Sequence, residues 1–182
     1  MSGPAEGPAH DLGRLIGILD RHGVRYLLAG GAAARAYGAT RLTDDTDCVV
    51  SRERENLTRL AAALRELNAR LRVAGMTDDE ARALPVRLDA ETLASAEIST
   101  WMTDAGGFDI LAGLAARDGR VVPYEELVRR ETVIQGEGFT IRAAALEDII
   151  AAKERADRPK DREALPELHA LLDPDRSLQP PP

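Results

Sequence analysis

Residues 40–50 read TRLTDDTDCVV, and how that stretch is read decides the fold. Asp44, Asp45 and Asp47 come close together and then run straight into an apolar segment through Cys48, Val49 and Val50. Aspartate disfavours strands, and a carboxylate entering a buried sheet is costly unless something pairs with it. Alternate residues of a strand share a face, so Asp45 and Asp47 project together while Thr46 and Cys48 point the other way. Two carboxylates that close repel, and one is driven neutral unless a cation sits between them. Mg2+, or Mn2+ in its place, suits such a position, because it prefers oxygen ligands and takes one or two carboxylates with phosphates and water. Paired metals can align an attacking hydroxyl and stabilise a departing pyrophosphate. A bare DxD is more often a solvated surface turn, so the residues upstream have to decide.

Upstream, residues 24–29 (VRYLLA) are a short apolar run after Gly23 and predict a buried strand. Gly30-Gly31 follows at once, and then a compact alanine-rich helix over 32–37, closed by Gly38. Glycines at a helix start expose free backbone N–H groups and let a phosphate approach them. Gly-Gly alone is only a tight turn. Followed, after a short helix, by DxD on the next strand, it becomes half of a joint pattern: a phosphate cradle beside metal ligands.

The rest of the chain sets the frame. At 182 residues with 44% hydrophobic content it is long enough for one domain with a real core, expected over residues 10–173. The ends, 1–9 and 174–182, are expected to be disordered. Aromatics at 3% and a net charge of −7 argue against stacking platforms and against bulk electrostatic capture of nucleic acid, though not against a local basic patch. One cysteine, no signal peptide and no long apolar run point to a cytoplasmic protein with no membrane partner. The three histidines are scattered and make no zinc set.

Helical spacing predicts helices over 10–22, 53–71, 77–84, 123–130, 146–156 and 161–172. In the long one, Leu57, Leu60, Leu64, Leu67 and Leu71 form one stripe. Strands are expected over 46–50, 97–102, 107–111 and 138–143, the middle two flanking a turn at 104–107. The mixture indicates an α/β or α+β fold, a small mixed sheet flanked by helices with a helical C-terminal part. No GxGxxG is present, so a Rossmann repeat is not indicated.

The stretch YLLAGGAAARAYGATRLTDDTDCVV, residues 26–50, resembles the signature of the nucleotidyltransferase superfamily, Gly-Gly or Gly-Ser followed by DxD. More narrowly it is similar to the minimal AbiEii-type group, whose pattern hGGxAxxxxGxxRxTxDhD is matched at Gly30, Gly31, Gly38, Arg41, Thr43, Asp45 and Asp47. LEDIIAAKERADRPKDREAL, residues 146–165, is similar to that group's second signature, a helix bearing a lysine followed by R-x-K-D: here Lys153, Arg158, Lys160 and Asp161. The chain departs from the group at Ala164, where relatives often carry aspartate. The resemblance implies the nucleotidyltransferase fold, transfer of a nucleoside monophosphate from an NTP, and a toxin role. The acceptor would be RNA such as the tRNA 3′ end, or a protein, and a cognate antitoxin would accompany the toxin. Carried over residue by residue, it places nucleotide binding at Gly30, Gly31, Arg41, Thr43, Lys153, Arg158, Lys160 and Asp161.

The superfamily normally adds a third carboxylate from a later strand. Asp109, mid-strand in GGFDIL, is the best candidate for third ligand and base, since an unpaired charge there is otherwise costly. Glu97, Asp89, Glu91 and Asp104 are its rivals. Lys153 lies on the apolar helix face of Leu146, Ile149 and Ile150, either snorkelling past the core or clamping a triphosphate as a point charge. Arg158 and Lys160 suit a triphosphate, an RNA backbone or a solvated turn. Arg41 suits a phosphate or a pairing with Asp44.

Overall fold

The computed structural model describes residues 10–136 and 138–172. The ends expected to be disordered, 1–9 and 174–182, lie outside the described residues. In chain order the elements are α1 (Leu12–Arg21), β1 (Tyr26–Ala29), α2 (Gly30–Ala36), β2 (Asp45–Val50), α3 (Arg54–Glu66), β3 (Arg70–Leu71), α4 (Asp78–Ala83) and α5 (Ala90–Ala94). There follow β4 (Ile98–Thr103), β5 (Gly106–Leu111), β6 (Gly113–Ala115), β7 (Val121–Pro123) and α6 (Tyr124–Leu127), which runs into a 3-10 turn (Val128–Arg130). β8 (Thr132–Gln135), β9 (Thr140–Ala143), α7 (Leu146–Ala156) and α8 (Pro159–Leu171) complete the order.

Seven strands form one mixed sheet in the order β3-β4-β5-β2-β1-β9-β8, and β6 with β7 makes a separate hairpin. β2 sits at the centre, antiparallel to β1 and parallel to β5. The expected pair of strands around residues 104–107 is β4 and β5, antiparallel neighbours. Buried side chains from both halves of the chain, Trp101, Tyr26 and Phe108 the largest, join one core. α2 packs on β1 and β2 and touches α7, which packs on α8. The C-terminal helices are thereby brought to the same strands that carry the aspartates.

Most expected elements shift by a residue or two at their ends, among them β1, α2 and β9, which begin at Tyr26, Gly30 and Thr140, and two boundaries bear on the site. The helix predicted to 71 ends at Glu66, because Asn68 turns left-handed at φ 49° while Asn68 and Ala69 bond back to Arg65 and Leu64. Leu57, Leu60, Leu64 and Leu67 are buried as the stripe predicts, but Leu71 belongs to β3 and pairs with Trp101. The last helix starts at Pro159 rather than 161: Asp157 ends α7 in the left-handed region, Arg158 is extended, and proline then occupies the first helical turn. Among the described residues no helix is long and apolar enough to cross a membrane.

Candidate active site

The centre of the sheet holds the acids. β2 and β5 pair so that Asp47 faces Asp109 and Asp45 faces Gly107. Residues opposite each other in a sheet project to one face, so Asp45, Asp47 and Asp109 share a face in the middle of the fold. Asp109's other neighbour is Thr100 of β4. The backbone N–H of Arg72, just past β3, donates to the Thr100 carbonyl at 2.8 Å. One row across the sheet therefore reads Arg72, Thr100, Asp109, Asp47.

Glycines make room for this row. Gly30 has φ +58°, and a Cβ there would run into the Asp47 carboxylate. A Cβ on Gly31 would fall 2.8 Å from Thr43 Oγ1, and one on Gly107 would overlap the Asp45 carboxylate. Thr43 in turn donates to the Asp45 carbonyl at 3.1 Å. Gly30 and Gly31, expected as a phosphate cradle at the start of α2, are thus required first by the close approach of the chain's own Asp47 and Thr43.

Crowding perturbs the carboxyls. Burial, with Asp109 and Asp45 adding to it, pushes the Asp47 carboxyl up to about 6, against the pull of Lys153 and Lys160. Asp109 is raised by burial and by Asp45, while the Thr100 hydroxyl, Arg72 and Lys160 hold it down. Asp109 Oδ1 is buried with no hydrogen-bond partner among the described residues. A buried acceptor left bare is uncommon and calls for an explanation.

The cations come from α7 and α8. Lys153 Nζ lies 3.1 Å from Asp161 Oδ1, and Arg158 Nε donates to Asp161 Oδ2 at 2.5 Å. The Asp161 side chain is fully covered. Burial raises its pKa, but Arg158 and Lys153 outweigh that and hold the carboxyl below its ordinary value. Asp161, grouped with the nucleotide contacts from sequence, is therefore the buried anchor that aims two cations toward Asp47. Lys160 is exposed, and its charge reaches both Asp47 and Asp109. Arg41 pairs with Glu163 of α8 at 2.8 Å, so the alternative pairing with Asp44 is set aside. Ala164 sits buried in α8, one turn beyond Asp161.

The rivals to Asp109 lie elsewhere. Glu97 is exposed just before β4, and its carbonyl accepts from Ala112 at 2.8 Å, beyond the far end of the pairing from Asp109. Asp89 caps α5 by accepting from the Thr92 N–H at 2.9 Å, Glu91 is exposed in that helix's first turn, and Asp104 accepts from Asn68 at 2.7 Å. The sequence reading missed Arg72, whose Nη1 lies 3.2 Å from Asp45 Oδ1. Strand alternation over 70–72 was its only signal, and the leucine stripe of α3 masked it.

The donor set suits a hard divalent cation: carboxylate oxygens alone, one of them bare and buried. The three acids do not already stand closed around one point, for among the described residues no three His, Cys, Asp or Glu side chains form a metal-holding group. Asp45 leans over Gly107 toward Arg72, and its charge still reaches both Asp47 and Asp109.

No protein-family model matches the chain, and no curated protein matches it. Solved structures do. One is the antibiotic-resistance factor ANT(2″)-Ia in complex with adenylyl-2″-tobramycin, with TM-score 0.53, 19% identity, and coverage of 89% of this chain and 87% of that one. Another is the lincosamide antibiotic adenylyltransferase LnuA, lincomycin-bound, with TM-score 0.57, 12% identity, and coverage of 89% of this chain and 99% of that one. The fold is that of the nucleotidyltransferases. It is a mixed α/β fold whose sheet is flanked by helices, and at these identities the likeness concerns architecture.

Proposed function

We propose that the chain is a metal-dependent nucleotidyltransferase that moves a nucleoside monophosphate from an NTP to an acceptor hydroxyl. The acceptor is RNA such as the tRNA 3′ end, or a protein, and the role is that of an AbiEii-like toxin with a cognate antitoxin. The observation that carries this reading is the Asp47–Asp109 pairing at the sheet centre, with a bare buried Asp109 oxygen on one side and Lys153 and Lys160 on the other.

Asp45, Asp47 and Asp109 would hold Mg2+ or Mn2+, which when bound offsets their repulsion and the charge of the triphosphate. The acceptor oxygen attacks the α-phosphorus in line. The bond from that phosphorus to the bridging oxygen breaks, and pyrophosphate leaves with the electron pair. The acceptor's proton passes to Asp109, the carboxylate with a buried oxygen left without a partner among the described residues. Lys153, steadied by Asp161, neutralises the triphosphate, and Gly30 and Gly31 let it approach the backbone. Arg158 and Lys160 hold either the triphosphate or an RNA backbone, and Arg41 and Thr43 frame the loop beside it.

A second reading is favoured by the likeness to proteins solved with tobramycin and lincomycin: a small-molecule hydroxyl acceptor. One assay separates the readings. With Mg2+ and α-labelled NTPs, label is expected on tRNA or on lysate protein, and Asp45→Asn or Asp47→Asn should abolish it. Label on tobramycin or lincomycin alone would favour the second reading. NTP binding with no transfer to any acceptor would refute both and leave a lapsed nucleotide-binding module, with Ala164 the first position to restore.

A further inference from the structure

Arg72 stands outside everything assigned so far, and it pairs with one of the three acids, Asp45. Its guanidinium bonds the same Asp45 oxygen that overlies Gly107. The Gly107 position has no Cβ to block that lean, so Asp45 can lie across β5 toward the β3 edge. The Arg72 side chain is half-exposed, while its backbone N–H is fixed to Thr100. The head group's ion pair among the described residues is with Asp45, and its charge also reaches Asp109. On the opposite flank the cations are differently built: Lys153 and Arg158 are tied to a buried anchor, Asp161, that is not one of the three acids.

We propose that Arg72 is a positioning residue for the transfer reaction proposed above: it engages the Asp45 carboxylate and competes with the divalent cation for it. A cation that takes Asp45 must first displace the guanidinium. The displaced head group, still on the acid-bearing face, is then placed at the side of the site away from Lys153. The inference rests on the metal-dependent reading, and its test separates the two.

The test is Mn2+ binding followed by the loss of the free-ion paramagnetic resonance signal, which needs no turnover. An exposed pair of this kind is worth at most about 1 kcal/mol, or about five-fold in an equilibrium constant. Arg72→Gln and Arg72→Ala should therefore tighten Mn2+ about two- to five-fold, and Arg72→Lys should stay closer to the wild type. Removing a positive charge could also tighten Mn2+ through space, so the Asp45→Asn background decides. There the Arg72 substitutions should change Mn2+ affinity by less than about 1.5-fold if the effect runs through Asp45. Equal tightening with and without Asp45, or none in either background while Asp47→Asn still weakens Mn2+, would overturn the role of Arg72 alone. Absence of Mn2+ binding in the wild type and in every Arg72 variant would overturn the metal-dependent reading together with it.

Discussion

Replacing Asp47 by asparagine is expected to stabilise the protein at alkaline pH while removing its response to Mg2+. The Asp47 carboxyl titrates at about 6 in the fold, against 3.8 for an unperturbed aspartate. The gap is about 2 pH units, and each unit corresponds to about 1.4 kcal/mol. The ionised carboxylate therefore weakens the fold by about 3 kcal/mol at most, and by less once water screening of this part-buried group is allowed for. The sign follows from proton counting. Between about pH 4 and about 6 the native state keeps a proton that the unfolded chain has released, so stability falls as pH rises through that window and is level above it. Asparagine has the same shape, fits beside the missing Cβ of Gly30, and carries no charge.

At pH 8 the expected gain for Asp47→Asn is about 1–3 kcal/mol, or about 3–10 °C in Tm for a chain of this size. At pH 4 the variant and the wild type should coincide within about 0.5 kcal/mol, since the wild-type carboxyl is then protonated. Urea unfolding at the two pH values measures this directly. Millimolar Mg2+ should raise the wild-type Tm at pH 8 and leave the variant unmoved, because a ligand of the native state stabilises by mass action. A variant that is less stable than the wild type at pH 8, or a difference that does not depend on pH, would show the carboxylate to be structural and the electrostatic reasoning wrong.

Asp161→Ala should act in the opposite sense, costing about 2–4 kcal/mol in urea unfolding at pH 7, because it strands Lys153 against the core. Since the Asp161 carboxyl is held below its ordinary value, its contribution is present at neutral pH and should fade on acidification, which a pH series of the same measurement checks. Gly30→Ala should destabilise by about 1–2 kcal/mol through the left-handed backbone alone. The double variant with Asp47→Ala should recover only the part due to overlap, so a full recovery would show that φ is not the constraint. Lys153→Ala should raise the KM for NTP more than it lowers kcat, with partial recovery at high NTP in the labelling assay.

What was legible in the sequence was whatever local chemistry forces. Paired glycines before acids at strand spacing have few physical solutions, and Asp109 announces itself as a charge in the middle of an apolar strand. What was not legible depends on chain segments that meet only in space. Leu71 continues the α3 stripe at perfect helical spacing, yet the left-handed Asn68 and the pairing with Trp101 on β4 pull it into a strand. That single error hid Arg72. The helix boundary at Pro159 was off by two residues, because Asp157 takes the left-handed region and proline then opens the first turn of α8. β6, β7 and β8 run three or four residues each, too short for a period to emerge.

The glycines and the acids are one device rather than two. Gly30, Gly31 and Gly107 lie against Asp47, Thr43 and Asp45 respectively, so each small residue permits a side chain of the acidic group to sit where a larger neighbour would exclude it. The arrangement destabilises the fold: it crowds like charges at the centre of the sheet and leaves an Asp109 oxygen unpaired. The surrounding core offsets that, with Phe108, Ile110, Cys48 and Val49 buried on the same two strands. A sheet selected only for stability would carry valine at 47 and 109. Carboxylates at those positions cost the fold, a cost the proposed cation would offset, and the two sets of cations differ in what holds them. Lys153 and Arg158 are pinned by a buried anion, whereas Arg72 is held by the acid itself. Of these ion-paired cations, Arg72 is the one whose partner is itself a candidate metal ligand.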